Sequence, residues 1–409
     1  MLRVRPPLLV SYASFVLIGI AAGGGGVLLL AQMTGYGVDR ATIGITFFTA
    51  AAGFVLAGLS VGALIHRYGI RIALAVGGSA YALGSLYMAT RPPFAAFVMV
   101  QLVTGFGIGV VESALNAHIA AMPGATSKLN RLHAFFGVGA LIGPVLAAWI
   151  VGFTSWTVVC LILALSCVPL IVGYLGVYPG VQPEPEPAPE PEPESAVPAP
   201  RAAARGLLSA VLRERGVLLG AAMLAVYVGL EIGMGNWGYS YLVQSRGLSA
   251  TIAGYSVSGY WLGLTLGRFL ISPLAARIGA TTVGLMYACL AGVTASATLA
   301  WLSPAAAGAS VALVLLGFFL GPVFPTTMSI APQLGPPRLA PTAIGVMNAA
   351  STVGGSALPW LAGVIAQSDG IAMILPFTIA LAVLQLAVWW PLASLVRGPA
   401  RELSSQQAG

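Results

Sequence analysis

Two carboxyl groups in this sequence sit where a bilayer would make them costly. Of the 11 Asp and Glu residues, only Glu112 and Glu231 fall well inside long apolar runs, each near the middle of its run. A charge at such depth costs at least ~2.5–3.5 kcal/mol on insertion scales, so intramembrane acids mark wet paths where they carry protons or bind polar solutes. The competing role is a neutral glutamic acid that hydrogen-bonds two helices together. Asn116 follows Glu112 by four residues and shares its helix face. The stretch from Tyr227 to Tyr241 surrounds Glu231 with Asn236 and Trp237. It also holds Gly229, Gly233, Gly235 and Gly238, which predict a helix broken in its middle. Backbone freed by such a break is tolerated where it lines a cavity. Amides and phenols bond hydroxyls and an indole stacks on the apolar face of a ring, so Tyr227, Asn236, Trp237, Tyr241 and Trp261 suit a sugar. Aromatic packing, or a belt at the membrane surface, is the alternative for these rings. His133 and Asn348, polar residues in apolar runs, complete the candidates for substrate binding.

Other chemistries find no support. No metal-ligand spacing, phosphate-cradling loop or nucleophile–base pattern occurs. The Gly23–Gly26 run lies inside an apolar segment without the Lys-Ser/Thr of a nucleotide loop, and reads as a close helix contact. Neither a metal, a cofactor, a nucleic acid partner nor an enzymatic reaction is implied. Cys160, Cys167 and Cys289 lie in apolar runs and read as small buried hydrophobes.

The elements that must position these groups follow from composition. The 409 residues are 58% hydrophobic and 7% charged, whereas soluble domains carry about 25% charged residues. Lipid must cover this surface. A bilayer core of about 30 Å takes about 20 apolar residues per helix, and twelve runs qualify: 8–33, 42–65, 72–90, 94–122, 133–153, 156–177, 217–243, 251–275, 280–302, 305–332, 340–366 and 371–396. They are too long, and alternate too little, for a β-barrel. The expected fold is an all-α polytopic membrane protein.

Between the sixth and seventh runs, Pro179 to Pro200 alternates Pro with Glu, which forbids helix and sheet and favours a solvated polyproline II spacer. The chain thus divides into a six-helix bundle (1–178), a disordered linker with a basic segment (179–215), a second bundle (216–397) and a tail (398–409). Of the 18 Lys and Arg, Arg268 lies within a span, Arg40, Arg91 and Arg246 fall in loops on one face, and the other fourteen fall on the face that bears both termini. The positive-inside rule then places both termini in the cytoplasm of a plasma (inner) membrane protein.

The two bundles echo each other. Gly105, Phe106 and Gly109 recur as Gly317, Phe318 and Gly321; Gly139 and Pro144 recur as Gly354 and Pro359; Arg67 and Gly69 recur as Arg277 and Gly279. The offsets are nearly constant, as expected of a duplication. Two parallel six-helix repeats, related by an axis along the membrane normal, describe the major facilitator architecture, with substrate held between the halves. The stretch Gly62 to Arg71 resembles the loop signature of that superfamily, with His66 in place of its Asp and Ile70 in place of a basic residue. Arg67, Gly69 and Arg71 are accordingly candidates for a conformational latch at a helix end.

Three stretches resemble the fucose permease-like (fucose–galactose–H⁺ symporter) family more specifically. Glu112-Ser113-x-x-Asn116 is similar to its Glu-[Ser/Thr]-x-x-Asn motif, Leu129 to Pro144 resembles its loop and fifth helix, and Tyr227-x-Gly229-x-Glu231 with Asn236-Trp237 resembles its sugar-permease members. The resemblance implies a symporter in which Glu112 takes a proton or binds a sugar hydroxyl. The first helix departs from the family: fucose permease has an acidic residue there, whereas no acid occurs here between Arg5 and Val38. Proton coupling is therefore expected at Glu112 and Glu231. The expected protein is a monomeric secondary transporter of a small polar solute, a monosaccharide first of all. An H⁺-coupled exporter of amphipathic compounds and a sugar uniporter are the alternatives.

Overall fold

In lipid, every backbone polar group of these runs must be satisfied within the chain, which selects helices. The computed structural model describes residues 6–180 and 207–397, and no strand occurs among them. The helices are α1 (Pro6–Tyr36), the short α2 (Arg40–Ile43), α3 (Ile45–Ala89), α4 (Phe94–Ala120), α5 (Ala125–Phe153), α6 (Trp156–Val177), α7 (Arg215–Gln244), α8 (Ala250–Arg277), α9 (Thr282–Leu302), α10 (Ala306–Leu320), α11 (Val323–Ile330), α12 (Ala340–Asp369) and α13 (Ile374–Arg397).

Ten helical stretches are long and apolar enough to cross a membrane. Two further crossings complete the twelve. The 50-residue stretch Arg40–Ala89 is long enough for two crossings, divided at Gly69 by φ 78° and ψ 163°, a conformation that suits glycine. Helix α8 is 28 residues long but is diluted by Ser, Gly and Arg268. The expected tenth span is broken between α10 and α11 at Gly321-Pro322, where proline supplies no N–H.

The Pro/Glu tract falls almost wholly outside the described residues. So do the tail after Arg397 and the basic residues Arg3, Arg5, Arg201, Arg205 and Arg401. Within the expected linker and basic segment, residues 207–211 are described; they are helical, and Val211 is fully buried.

The repeat is written into the packing. In the first half α1 packs on α5, α4 on both arms of α3, and α3 on α6; in the second, α7 packs on α12, α10 on α8 and α9, and α9 on α13. Matching glycines make the closest crossings. A Cβ at Gly53, Gly105 or Gly139 would lie 2.0–2.1 Å from the carbonyl oxygen of Leu102, Ala50 or Val16. Their counterparts Gly263, Gly317 and Gly354 would meet the carbonyls of Val314, Tyr260 and Ala225 at 2.0–2.1 Å. Gly279, the counterpart of Gly69, also has positive φ. Backbone cannot retreat as a side chain can, so Gly139→Val or Gly354→Val should cost ~3 kcal/mol or more, the upper end for overpacking. The expected result is a sharp loss of monodisperse protein extracted in mild detergent. Gly58→Ala, which meets open space, should leave it unchanged.

The halves meet along one seam, between α1 and α7, α3 and α12, and α5 and α8. Their contacts lie on the membrane face opposite the termini, here the distal face. Phe48 packs edge-on to Trp360 with ring centroids 5.7 Å apart, Gly26 abuts the Gly235 carbonyl and Gly254 abuts Ala148. Of the glycine contacts between the halves, the one nearest the termini is Gly137 against Thr265, each about 18 Å from the terminal end of its helix at 1.5 Å per residue. On the terminal side of that crossing, among the described residues, no hydrogen bond, ion pair or ring contact joins the halves. The hydrogen bonds that join the halves are thus all distal.

Candidate functional site

Three candidates and Arg268 lie at one level of the molecule. Counting 1.5 Å per residue from the terminal end of each helix, Glu112 on α4, His133 on α5, Arg268 on α8 and Asn348 on α12 are each about 12–14 Å deep. Tyr227 and Glu231 on α7 lie further in, at about 18 and 24 Å by the same measure. Glu231 is thus at mid-depth as expected, whereas Glu112 is nearer the termini.

Helix periodicity aims Glu112. On α4, Gly105 and Gly109 face α3, while Ile108 and Val111 line a small cavity with Ser14 and Leu17 of α1. Glu112 is three residues from Gly109 and four from Ile108, so it lies on the edge between these faces. It is partly exposed, and its carboxyl makes no hydrogen bond or ion pair among the described residues. Asn116 donates its Nδ2 to the Glu112 carbonyl at 2.9 Å, which leaves its own side-chain oxygen free.

Glu231 is in the opposite situation. Its Oε1 accepts from Arg268 Nη2 at 2.9 Å, the one salt bridge among the described residues. The same Nη2 donates to the Tyr227 hydroxyl at 3.1 Å, and the Tyr260 hydroxyl donates to the Glu231 carbonyl at 3.1 Å. The Arg268 side chain is 30% exposed and that of Glu231 13%. Arg268 Nε is buried without a partner. On α8, Gly254, Trp261, Thr265 and Arg268 recur at spacings of seven, four and three residues, so Arg268 belongs to the face that meets the other half. His133 is one turn terminal-ward of Gly137 on α5, exposed, with its ring edge-on to Phe15 at 5.6 Å and within electrostatic reach of Arg268. Asn348 is exposed and makes no side-chain hydrogen bond.

The other candidates are placed elsewhere. Asn236 and Trp261 lie at the close crossing of α1 with α7 and α8: Asn236 Oδ1 lies against Gly25 and the Trp261 ring against Gly235. Trp261 Nε1 is buried with no partner. Trp237 is fully buried and donates Nε1 to the Pro359 carbonyl at 2.8 Å, within the second half. Tyr241 is buried and turned to α9, where its hydroxyl donates to the Ala300 carbonyl at 3.3 Å. The polar atoms of Trp237 and Tyr241 are thus both engaged within the second half. The break expected in α7 is corrected, because the helix is continuous from Arg215 to Gln244. Its glycines serve close packing instead: Gly229 takes Leu358, and Gly235 takes Trp261 and Gly26.

The latch candidates lie at the turn inside α3. Arg71 Nε donates to the Tyr178 carbonyl at the end of α6, 2.9 Å away, and Arg67 lies over the Tyr68 ring. Both contacts stay within the first half.

Arg268 was the residue that sequence reasoning passed over. The available signal was plain: one base alone inside an apolar run, with one acid alone in the run before it.

A family model for the Major Facilitator Superfamily matches residues 9–359 of this chain. The chain belongs to the major facilitator superfamily. It is a membrane transporter and not an enzyme. Bypass of stop codon protein 6 of Saccharomyces cerevisiae is 25% identical over 387 residues, 88% of this chain and 77% of that protein. A glucose/galactose transporter of Brucella abortus is 26% identical over 346 residues, 79% of each chain. The fold matches that of a point mutant of the nucleoside transporter NupG with a TM-score of 0.75 at 15% identity, over 96% of this chain and 100% of that one.

In chemical terms, this transporter holds one lone carboxyl in its first half and, in the second half and along the seam, one compensated carboxyl, an arginine with unused N–H groups, and amide, imidazole and phenol groups. That set can bind hydroxyls, and a lone carboxyl can take and give up a proton.

Proposed function

We propose that this protein is a secondary transporter that carries a monosaccharide together with H⁺, by rocking its two halves about the seam. The observation that carries this reading is the contrast between the two intramembrane acids. Glu231 is neutralised by Arg268; Glu112 has no partner among the described residues. An uncompensated carboxylate inside an apolar helix is costly, and a proton removes that cost. Glu112 is therefore assigned the travelling proton, and the Glu231–Arg268 pair, with Tyr227, His133 and Asn348 nearby, the polar wall against which the solute binds. Asn236 and Trp261 close the far end of that chamber. The hydroxyl-binding character of these groups supports a sugar, as does the relative named for glucose and galactose. The surplus of Lys and Arg on the terminal face supports termini in the cytoplasm of the plasma (inner) membrane, so the bonded end of the seam faces outward. One chain supplies both halves, which supports a functional monomer.

The test is uptake of labelled galactose and glucose into proteoliposomes with an imposed pH gradient, inside alkaline. Solute should accumulate above its outside concentration, and unlabelled monosaccharides should compete. Equilibration without accumulation would instead establish a uniporter, and competition by lipophilic amines alone an exporter.

A further inference from the structure

Three arginines occupy the loops of the distal face, and all three do the same thing to a different helix. Arg246 donates Nη2 to the carbonyls of Ala300 and Ser303 at the end of α9, at 2.8 and 2.6 Å. Arg91 donates to the Gly35 carbonyl at the end of α1. Arg40 donates Nη1 to the Ala366 carbonyl in the last turn of α12, at 3.2 Å. The last four carbonyls of a helix lack partners within it, and a cation there also meets the negative end of the helix dipole. Arg91 and Arg246 each staple helices of a single half. Arg40 belongs to the first half and binds the second.

It does so at three points. Besides Ala366, its Nη2 donates to Gln244 Oε1 at the end of α7, 3.0 Å away. Its backbone N–H donates to Gln367 Oε1 at 3.2 Å. These are the only hydrogen bonds between the halves among the described residues. The guanidinium thus sits between the C-terminal ends of α7 and α12. Local geometry aims it there. Asp39 caps α2 by accepting from the Thr42 amide at 2.7 Å, and Gly363 lets the Arg40 carbonyl come within 2.9 Å of where a Cβ would stand. Each side-chain acceptor is a neutral amide or carbonyl, so breaking the contacts returns one solvated cation to water and leaves no carboxylate unpaired.

We infer that Arg40 is the clamp that holds the distal gate shut, and that its release from Gln244, Gln367 and the α12 terminus is the step that opens the transporter to that face. The inference rests on the rocking motion put forward above. It makes Arg40 a positioning residue: it touches no substrate, and it sets how much of the time each face is open. Hydrogen bonds to a charged group contribute enough that losing this set should shift the open-to-closed ratio by about tenfold.

The experiment places spin labels at Ser155→Cys and Ala305→Cys, exposed loop positions on the distal face of opposite halves, and reads their separation by electron–electron double resonance. The native Cys160, Cys167 and Cys289 are buried. Arg40→Ala should raise the long-distance population about tenfold relative to the short one. Gln244→Glu turns a neutral acceptor into a carboxylate facing Arg40. The pair is exposed, so this change should shift the ratio only a few-fold toward the short distance. Opposite shifts in the two variants support the clamp, and Gln244→Glu is mild enough to keep the fold. An unchanged distribution in both overturns it, whatever the wild type does on adding sugar. Failure of the rocking reading itself has a different signature: a wild-type distribution that ignores galactose while Arg40→Ala still opens the distal face.

Discussion

Glu112→Gln abolishes accumulation of solute against a gradient while leaving exchange of solute across the membrane intact. A pH difference of one unit is worth 1.36 kcal/mol per proton moved, so one proton per sugar lets the wild type accumulate about tenfold. Glutamine keeps the shape and a hydrogen-bonding group but binds no proton. The variant should therefore equilibrate its solute to a ratio near one with or without the gradient. Counterflow, in which labelled sugar exchanges with unlabelled sugar inside, needs only that the halves rock while loaded, and it should survive. The split between the two assays separates a lost proton carrier from a lost fold. It also separates Glu112 from the wall of the site, because a residue that only bound sugar would lose both activities. Accumulation by Glu112→Gln at the wild-type level would remove Glu112 from the coupling step.

The depth of this site and the identity of its partners were unequally legible in the sequence. The twelve crossings and the duplication could be read because lipid demands long apolar helices and because close crossings demand glycine. Gly105 and Gly317 pack in the same way because both face a carbonyl on the neighbouring helix. The break in α7 was misread for a related reason. Four glycines in one helix look like weakness when the partners are unseen, yet two are spent on close neighbours: Gly229 on Leu358, and Gly235 on Trp261 and Gly26. The partners of Trp237 and Tyr241 were not legible, because their spacing from Glu231 does not tell which neighbouring helix each ring faces. Nothing local to Trp237 announces that its indole N–H will meet the Pro359 carbonyl 122 residues later. The Glu231–Arg268 pair lies between these cases. It joins helices adjacent in sequence, and a lone base in an apolar run predicts a lone acid nearby. The asymmetry of the halves was also readable: at the repeat offset, the position matching Glu112 is Phe324, which packs on Tyr227.

That pair yields the second large effect. Removing one member of a buried ion pair costs ~3–5 kcal/mol, because the survivor is left uncompensated; here the cost should be smaller, since Arg268 is 30% exposed. The two single variants should not behave alike. Arg268→Met leaves a carboxyl that can take a proton, so its damage should be relieved as pH falls. Glu231→Gln leaves a guanidinium that cannot shed its proton, so its damage should persist at every pH tested. The double variant Arg268→Met with Glu231→Gln leaves no net charge behind. It should recover most of the thermal stability lost by either single change, while transport stays impaired because the polar wall is gone. The measurement is melting temperature in detergent at about pH 5.5 and 7.5, a range across which an uncompensated carboxyl can change state, together with uptake at the same two values. Additive losses in the double variant would mean that the two side chains contribute independently. The contact at 2.9 Å would then do little to hold α7 against α8, and the fixed charge of the proposed site would have to be sought elsewhere along the seam.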